Sequence, residues 1–323
     1  MHRLLARYTG GSERLVTGPG IGEDVAVIDN GDRYMVIKTD PITFATDQIG
    51  WYAVNINAND VATSGARPLW MLNTVLLPEG KTTPALVESI MAQIHTACVA
   101  IGVTAVGGHT EVVHGLPRPI VVGVMIGEVP KNRLLTTSGA QVGDSIVLVK
   151  EIPIEATAII AREKTDLLRA RGVSEATIER ARDYLYTPGI SVLRAAQLAC
   201  EGEGVHAMHD PTEGGLATGL HELGLAAGVG LEIWHEAIPL AAEGKLFCEL
   251  LGLDPLGVIA SGALIVAVAA EEAGALLARL AAAAMSAKVI GRALPADEGR
   301  WLLRGGVRLP LPLFERDEIT RIF

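Results

Sequence analysis

The first half of the chain alternates between short apolar runs and longer stretches with helical spacing. Residues 34–37 and 69–77 are largely apolar runs bounded by polar or turn-forming residues, which is typical of buried strands. Residues 48–64 and 83–100 carry apolar side chains every three or four positions, so this part predicts two helices. Further strands are predicted near residues 103–106 and 119–129.

A polar, glycine-containing segment near residues 131–144 separates this half from a second one with more helices. We therefore predict two domains, residues 1–135 and residues 136–323, in agreement with the usual domain size. Strands and helices alternate in both, which predicts an α/β and α+β fold. The second half predicts strands at 145–149, 262–269 and 288–291 and helices at 153–164, 174–185, 191–200, 212–227 and 270–284.

Composition narrows the class of protein. Of the 323 residues, 49% are apolar and 20% are charged, which favours a large folded core. The formal net charge of −10 disfavours nucleic-acid and membrane partners, because their phosphates would be repelled. The first eight residues are too short and polar for a signal peptide, and the apolar stretch at 256–270 is shorter than a membrane span. We expect a cytoplasmic protein.

The three cysteines, Cys98, Cys200 and Cys248, are widely spaced and form neither a disulfide pattern nor a zinc motif. We expect them to be free thiols in a reducing compartment, used mainly as small apolar side chains.

Four aspartates stand at the ends of predicted elements or beside Gly, Asn and Thr: Asp24, Asp40, Asp60 and Asp210. Each alone is compatible with an ordinary turn or a helix cap. Asp60 is different because it follows Asn55, Asn57 and Asn59 within one predicted helix. Since Asn and Asp are poor helix formers, this helix carries either a binding surface or merely a solvated face.

Two glycine-containing segments add candidates for binding an anion. Gly107 and Gly108 follow a predicted strand, where they form either a tight turn or a close approach of backbone N–H groups to a phosphate. The segment Asp210-Pro211-Thr212-Glu213-Gly214 precedes a predicted helix, where capping and phosphate binding are both possible. Together these segments supply oxygen ligands and amides, the groups that Mg²⁺ and a substrate phosphate require.

The order of these segments resembles the aminoimidazole-ribonucleotide-synthetase (PurM-like) superfamily. It includes the hydrogenase-maturation protein HypE, selenophosphate synthetase and thiamine-monophosphate kinase. The matching motifs are Glu23-Asp24-Val25-Ala26-Val27, Thr39-Asp40, Asn59-Asp60-Val61-Ala62 with Gly65-Ala66-Arg67-Pro68, Gly107-Gly108-His109-Thr110, and Asp210-Pro211-Thr212-Glu213-Gly214-Gly215-Leu216. The chain is most similar to the HypE branch.

The resemblance implies an N-terminal ATP-binding and dimerisation domain with a four-stranded sheet, a C-terminal α+β domain and a homodimer. It implies ATP and Mg²⁺ as cofactors, with Asp60 and Asp210 as catalytic residues. The implied metal ligands are Asp24, Asp40, Asp60 and Asp210. The implied nucleotide-binding residues are Asp24, Asp40, Asn57, Asn59, Gly107, Gly108, Thr110, Thr212 and Gly214.

Several positions depart from the HypE pattern. His109 stands where that branch has Asp, and Glu213 replaces an arginine that could face a phosphate. The printed chain closes on Phe323, whereas HypE chains close on the cysteine that carries the carbamoyl group, so we expect no nitrile formation on its own tail.

These observations predict ATP- and Mg²⁺-dependent phosphoryl transfer to a small or carbamoyl-type acceptor. Two alternatives stay open: a small-molecule kinase similar to thiamine-monophosphate kinase, and a non-catalytic nucleotide-binding protein within a metalloenzyme maturation complex. The latter would have a protein partner.

Overall fold

A computed structural model describes residues 11–20, 22–42 and 47–323 of the chain. The chain forms two compact units. Residues 11–19 and 24–134 belong to the first unit, and residues 135–323 with residues 20 and 22–23 belong to the second. The N-terminal octapeptide discussed above lies outside the described residues.

The first unit is built on a six-stranded sheet in the order β1-β2-β3-β6-β4-β5, where the family resemblance implied four strands. Its strands are antiparallel neighbours except β4 and β5, which run parallel. The strands are β1 (Leu15–Thr17), β2 (Ala26–Asp29), β3 (Arg33–Ile42), β4 (Arg67–Pro78), β5 (Thr104–Val113) and β6 (Ile120–Pro130).

Helix α1 (Ile49–Thr63) lies inside the first unit, and Trp51 is its one residue that is not buried. It ends as predicted, because Gly65 adopts a left-handed conformation and donates its N–H to Ala62. Asn55, Asn57 and Asp60 are at most 3% exposed, so the alternative of a solvated polar face is wrong. Buried polar groups require partners, which points to a polar site inside this unit.

Helix α2 (Pro84–Ile101) also begins and ends as its sequence indicates. The Thr83 side chain accepts the N–H of Leu86, and Gly102 ends the helix in a left-handed conformation. By length and apolar composition alone, α2 resembles a membrane span. Its buried side chains, among them Ile90 and Ile94, pack inside the unit, as in the helices of globular proteins.

The second unit contains a seven-stranded sheet in the order β13-β12-β9-β11-β7-β10-β8. An apolar core from the strands and helix α7 lies against it. The strands are β7 (Ser145–Val149), β8 (Val205–His209), β9 (Gly230–Trp234), β10 (Leu264–Val268), β11 (Ala287–Leu294), β12 (Arg300–Arg304) and β13 (Val307–Pro310). The helices are α3 (Ile154–Glu163), α4 (Thr165–Ala170), α5 (Glu175–Asp183), α6 (Leu193–Cys200), α7 (Gly215–Ala227), α8 (Ala242–Leu251) and α9 (Ala273–Ala282).

The fold class is confirmed: both units combine sheets with helices. The predicted helix 212–227 begins only at Gly215. Strands β1, β8, β9, β12 and β13 and helices α4 and α8 were not predicted. These missed strands are short and lie beside turns, where hydrophobic periodicity carries little information. All three cysteines are free, as expected.

Candidate functional site

The site in the first unit starts from two charged residues on strand β3. Lys38 and Asp40 are two positions apart, so both side chains lie on the sheet face that carries α1. The Lys38 Nζ lies 3.4 Å from Asp40 Oδ2 and 3.4 Å from Asp60 Oδ1 of α1. One ammonium group therefore links the strand to the helix through two predicted site residues.

Helix α1 places its polar residues against this pair. The Asn57 side chain donates to the backbone carbonyls of Ala53 (2.8 Å) and Asp40 (3.3 Å). Among the described residues, no hydrogen-bond partner reaches Asn57 Oδ1, although the side chain is fully buried. Asn59 is also fully buried. Poor helix formers therefore occupy the middle of this buried helix because their side-chain amides hold the helix and strand β3 in position at the site.

A row of in-register residues crosses four strands beneath α1. Asp40 pairs with Gly123 of β6, Gly123 with Asn73 of β4, and Asn73 with Gly108 of β5. A Cβ at Gly123 would lie 2.5 Å from Asn57 Nδ2, so only glycine lets the helix approach the sheet this closely. Lys38, Asn73 and Gly123 were not predicted as site residues. For Lys38 a signal existed, because strand alternation places it on the same sheet face as Asp40.

Asp24, just before β2, completes the acidic set of this unit. A carboxylate oxygen of Asp24 lies within 4.8 Å of one from Asp60. Together with Asp40 and Lys38, these four side chains carry three negative charges and one positive charge, a formal charge of −2. An all-oxygen donor set with this charge, beside an unpaired buried amide oxygen, fits Mg²⁺.

Gly107, Gly108 and Thr110 lie within β5, so the alternative of a tight turn after the strand is wrong. A bulge opposite Met71 and Leu72 of β4 leaves Val106 unpaired. Gly108 has a φ of +152°, and a Cβ there would collide with the backbone of Asn73. Glycine is needed here because the edge strand makes a close, kinked approach to β4. His109 Nε2 lies 3.6 Å from Glu111 Oε2 at this edge.

The predicted residues Asp210, Thr212 and Gly214 lie in the second unit, between β8 and α7. Asp210 is 1% exposed. The residue that caps α7 is Gly214, without a side-chain cap, so helix capping by Asp210 or Thr212 is wrong. The Gly214 N–H donates instead to Asp317 Oδ2 at 2.8 Å, and the Thr212 carbonyl accepts the N–H of Gly215.

A buried acidic neighbourhood surrounds this turn, which sequence reasoning missed. Burial, with a smaller contribution from the charges of Glu213 and Asp317, raises the pKa of Glu155 on α3 to about 8. Burial also raises the pKa of Asp317, opposed by the backbone N–H groups of Ile319 and Gly214. This part of the second unit is therefore rich in carboxyl groups.

Two family models match the chain. The N-terminal domain of AIR synthase related protein matches residues 22–129, and the C-terminal domain of the same family matches residues 141–302.

Two relatives align with most of the chain. It is 34% identical over 298 residues to the carbamoyl dehydratase HypE of Rhodobacter capsulatus, covering 90% of this chain and 83% of that one. It is 31% identical over 264 residues to a hydrogenase expression/formation protein of Methanocaldococcus jannaschii, covering 79% and 75%.

Solved structures share the fold. They are HypE in complex with ATP (TM-score 0.74, 24% identity, 98% and 91% coverage), the HypE–HypF complex (0.75, 22%, 98% and 98%) and thiamine-monophosphate kinase from Aquifex aeolicus (0.70, 21%, 89% and 92%). The expected resemblance is thus confirmed, including the similarity to the HypE branch. The HypE relatives are named carbamoyl dehydratases, which supports the prediction of an enzyme. With both of its domains matched, the chain belongs to the AIR synthase-related (PurM-like) family.

Proposed function

We propose that the chain is an ATP- and Mg²⁺-dependent enzyme that activates a small or carbamoyl-type acceptor by phosphoryl transfer. The observation that carries this proposal is the Asp60 carboxylate, which lies within 4.8 Å of the Asp24 carboxylate and shares the Lys38 ammonium group with Asp40. The carbamoyl dehydratase relatives support a carbamoyl-type acceptor, and a HypE structure with ATP supports the use of ATP.

The residues of the first unit have distinct tasks in this proposal. Asp24, Asp40 and Asp60 would hold Mg²⁺, which supplies charge neutralisation for the phosphates when bound. Lys38 holds Asp40 and Asp60 in place through its two ion pairs. Asn57 fixes the backbone at Asp40, so that this carboxylate keeps its position.

For the remaining predicted site residues we propose the roles that the family resemblance implies. Asn59, Gly107, Gly108 and Thr110 of the first unit, and Asp210, Thr212 and Gly214 of the second, are proposed to bind the nucleotide, with Asp210 also as a metal ligand and a catalytic residue. Single substitutions of these residues, with MgATP binding as the measurement, test each role.

A protein partner is part of the proposal, because one similar structure is a HypE–HypF complex. We propose that the chain works with a partner that delivers its acceptor. Two other functions stay open: a kinase similar to thiamine-monophosphate kinase and a non-catalytic nucleotide-binding protein. The second experiment below distinguishes them.

The first experiment measures MgATP binding by calorimetry and ADP release in Asp60→Asn and in the control Asp32→Asn. Asp32 is an exposed acid in the β2–β3 turn. We expect Asp60→Asn to weaken MgATP binding at least tenfold, since it removes a charged ligand from the set, and the control to bind like the wild type. Unchanged binding in Asp60→Asn would disprove the proposed site.

The second experiment distinguishes the alternatives. ADP release that increases with a carbamoyl compound supports the proposed function, whereas release only with a phosphorylated vitamin precursor supports the kinase. Tight MgATP binding without turnover with any acceptor or partner supports the non-catalytic role.

A further inference from the structure

The turn between β8 and α7 in the second unit packs closely against other parts of that unit. Gly214 caps α7 in a left-handed conformation, with a φ of +75° and no side-chain cap. A Cβ at the next residue, Gly215, would lie 2.6 Å from the carbonyl oxygens of both Leu256 and Val258. The shape of this turn therefore depends on contacts with segments that are distant in the chain.

The carboxylate of Asp317 joins this turn to a segment 103 residues further along the chain. Its Oδ2 accepts the Gly214 N–H at 2.8 Å, and its Oδ1 accepts the Ile319 N–H at 2.8 Å. Asp317 is only 7% exposed. Hydrogen bonds to a carboxylate are stronger than those to a neutral acceptor, and losing one in a buried place leaves the donor unsatisfied. A single side chain therefore fixes the position of the Gly214 backbone.

The segment that carries Asp317 is itself attached to the loop that follows α8. The Glu318 N–H donates to the Gly257 carbonyl at 3.0 Å, and Glu318 Oε2 accepts the Asp254 N–H at 3.1 Å. Arg321 donates to the same Oε2 at 2.7 Å. Because these bonds hold the backbone around Asp317 in place, its carboxylate is a fixed support for the turn.

The position of Gly214 determines where the other proposed binding residues of the turn lie. The Thr212 carbonyl accepts the Gly215 N–H at 3.0 Å, so Thr212 and Gly214 belong to one compact turn. Asp210 lies two residues before Thr212 and is 1% exposed. Since Asp317 takes the Gly214 N–H, Gly214 contributes its backbone conformation to the turn and not this donor. A displacement of about 1 Å can disrupt the geometry of a binding or catalytic site.

We propose that Asp317 is a positioning residue: its carboxylate holds the Gly214 backbone and thereby keeps Asp210 and Thr212 in the arrangement in which they bind the nucleotide. This inference rests on the proposed function, because the binding role of the turn comes from there. Asp317 acts through Gly214 and does not itself touch the nucleotide.

The test is titration calorimetry with MgATP on the full chain carrying Asp317→Ser. Serine keeps an oxygen that can accept the Ile319 N–H, but its side chain is too short to reach Gly214 as well. We expect the dissociation constant to rise about tenfold, the effect of losing one charge-assisted hydrogen bond, with unchanged stoichiometry. A merely structural role would lower the fraction of protein that binds and leave the dissociation constant as in the wild type.

The control is Glu236→Ala in the same unit. Glu236 Oε1 accepts the Gly305 N–H at 2.8 Å, so this variant removes the same kind of bond and the same charge at the β12–β13 turn. It should bind MgATP like the wild type. An unchanged dissociation constant in Asp317→Ser would overturn the proposal. A lower one would also overturn it, because it would show that the carboxylate competes with a phosphate.

Asp317→Asn keeps the volume and is the second variant if Asp317→Ser does not fold. Its amide has one acceptor for two N–H groups, so MgATP binding should weaken in the same direction. Amide hydrogen exchange of the wild type needs no nucleotide, and an unprotected Gly214 N–H would refute the link to Asp317. A wild type that binds no MgATP would disprove the proposed function, whereas MgATP binding that does not depend on Asp317 would disprove only the positioning role.

Discussion

At the scale of single residues, Lys38 has the largest influence on the site in the first unit. Its ammonium group is the shared partner of Asp40 and Asp60, and its side chain is 13% exposed. Charges removed from water are tolerated when they are paired, and removal of one partner leaves the others uncompensated. Lys38 therefore stabilises the fold and keeps two acids close together.

We predict that Lys38→Met lowers the free energy of unfolding by about 2 kcal/mol, because the buried carboxylate of Asp60 and the partly exposed carboxylate of Asp40 both lose a cation. Added Mg²⁺ should raise the melting temperature more in this variant than in the wild type, since the metal would replace the missing charge. Thermal unfolding with and without Mg²⁺ measures both effects.

The control is Lys81→Met, which replaces an exposed lysine of the same unit whose Nζ donates to the Pro117 carbonyl. It should change stability little. Equal stability of Lys38→Met and the wild type would show that the ion pairs of Lys38 do not stabilise the fold.

At the scale of elements, strand β5 differs from the other strands of its sheet. It lies at the sheet edge, and its residues from Thr104 to Val112 are all exposed. Val106 and Val112 are 53% and 55% exposed. An edge strand with exposed apolar side chains is a surface on which another chain can pair, so we propose that β5 contributes to the expected homodimer.

The double substitution Val106→Glu/Val112→Glu should convert a dimer into a monomer, because it places charges at the apolar contact. Light scattering after gel filtration measures the mass. Val99→Glu, on the equally exposed valine of α2, is the matched control and should stay dimeric. A monomeric wild type would contradict the proposal directly.

At the scale of the whole molecule, two buried groups make stability depend on pH in opposite directions. Burial raises the pKa of Glu155 from 4.5 to about 8, so between these values the folded protein holds a proton that the unfolded chain has lost. Stability therefore falls as pH rises through this window. Burial lowers the pKa of Lys150 from 10.5 to about 8, so stability rises with pH above 8.

Glu155→Gln should flatten the decrease in stability between pH 5 and pH 8, since a neutral amide does not titrate. Chemical denaturation at several pH values in this window avoids the contribution of Lys150. Glu271→Gln, on an exposed surface glutamate, should keep the slope of the wild type. A slope unchanged by Glu155→Gln would show that this carboxyl ionises normally in the folded protein.

The sequence by itself determined the fold class, the main helices and the family, because apolar periodicity and the motifs around Asp24, Asp40, Asp60 and Asp210 are local features. It also gave the residue types of a magnesium and phosphate site. It did not give the short strands β8, β9 and β12, each of which pairs with a strand that is distant in the chain.

Only the tertiary structure decided which side chains meet. Lys38 contacts Asp60 because a strand and a helix pack together, and Asn73 aligns with Asp40 through strand register. Burial turned the polar face of α1 from a possible solvated surface into an interior site. Contacts between distant segments, and the loss of water around them, depend on packing that no local pattern encodes.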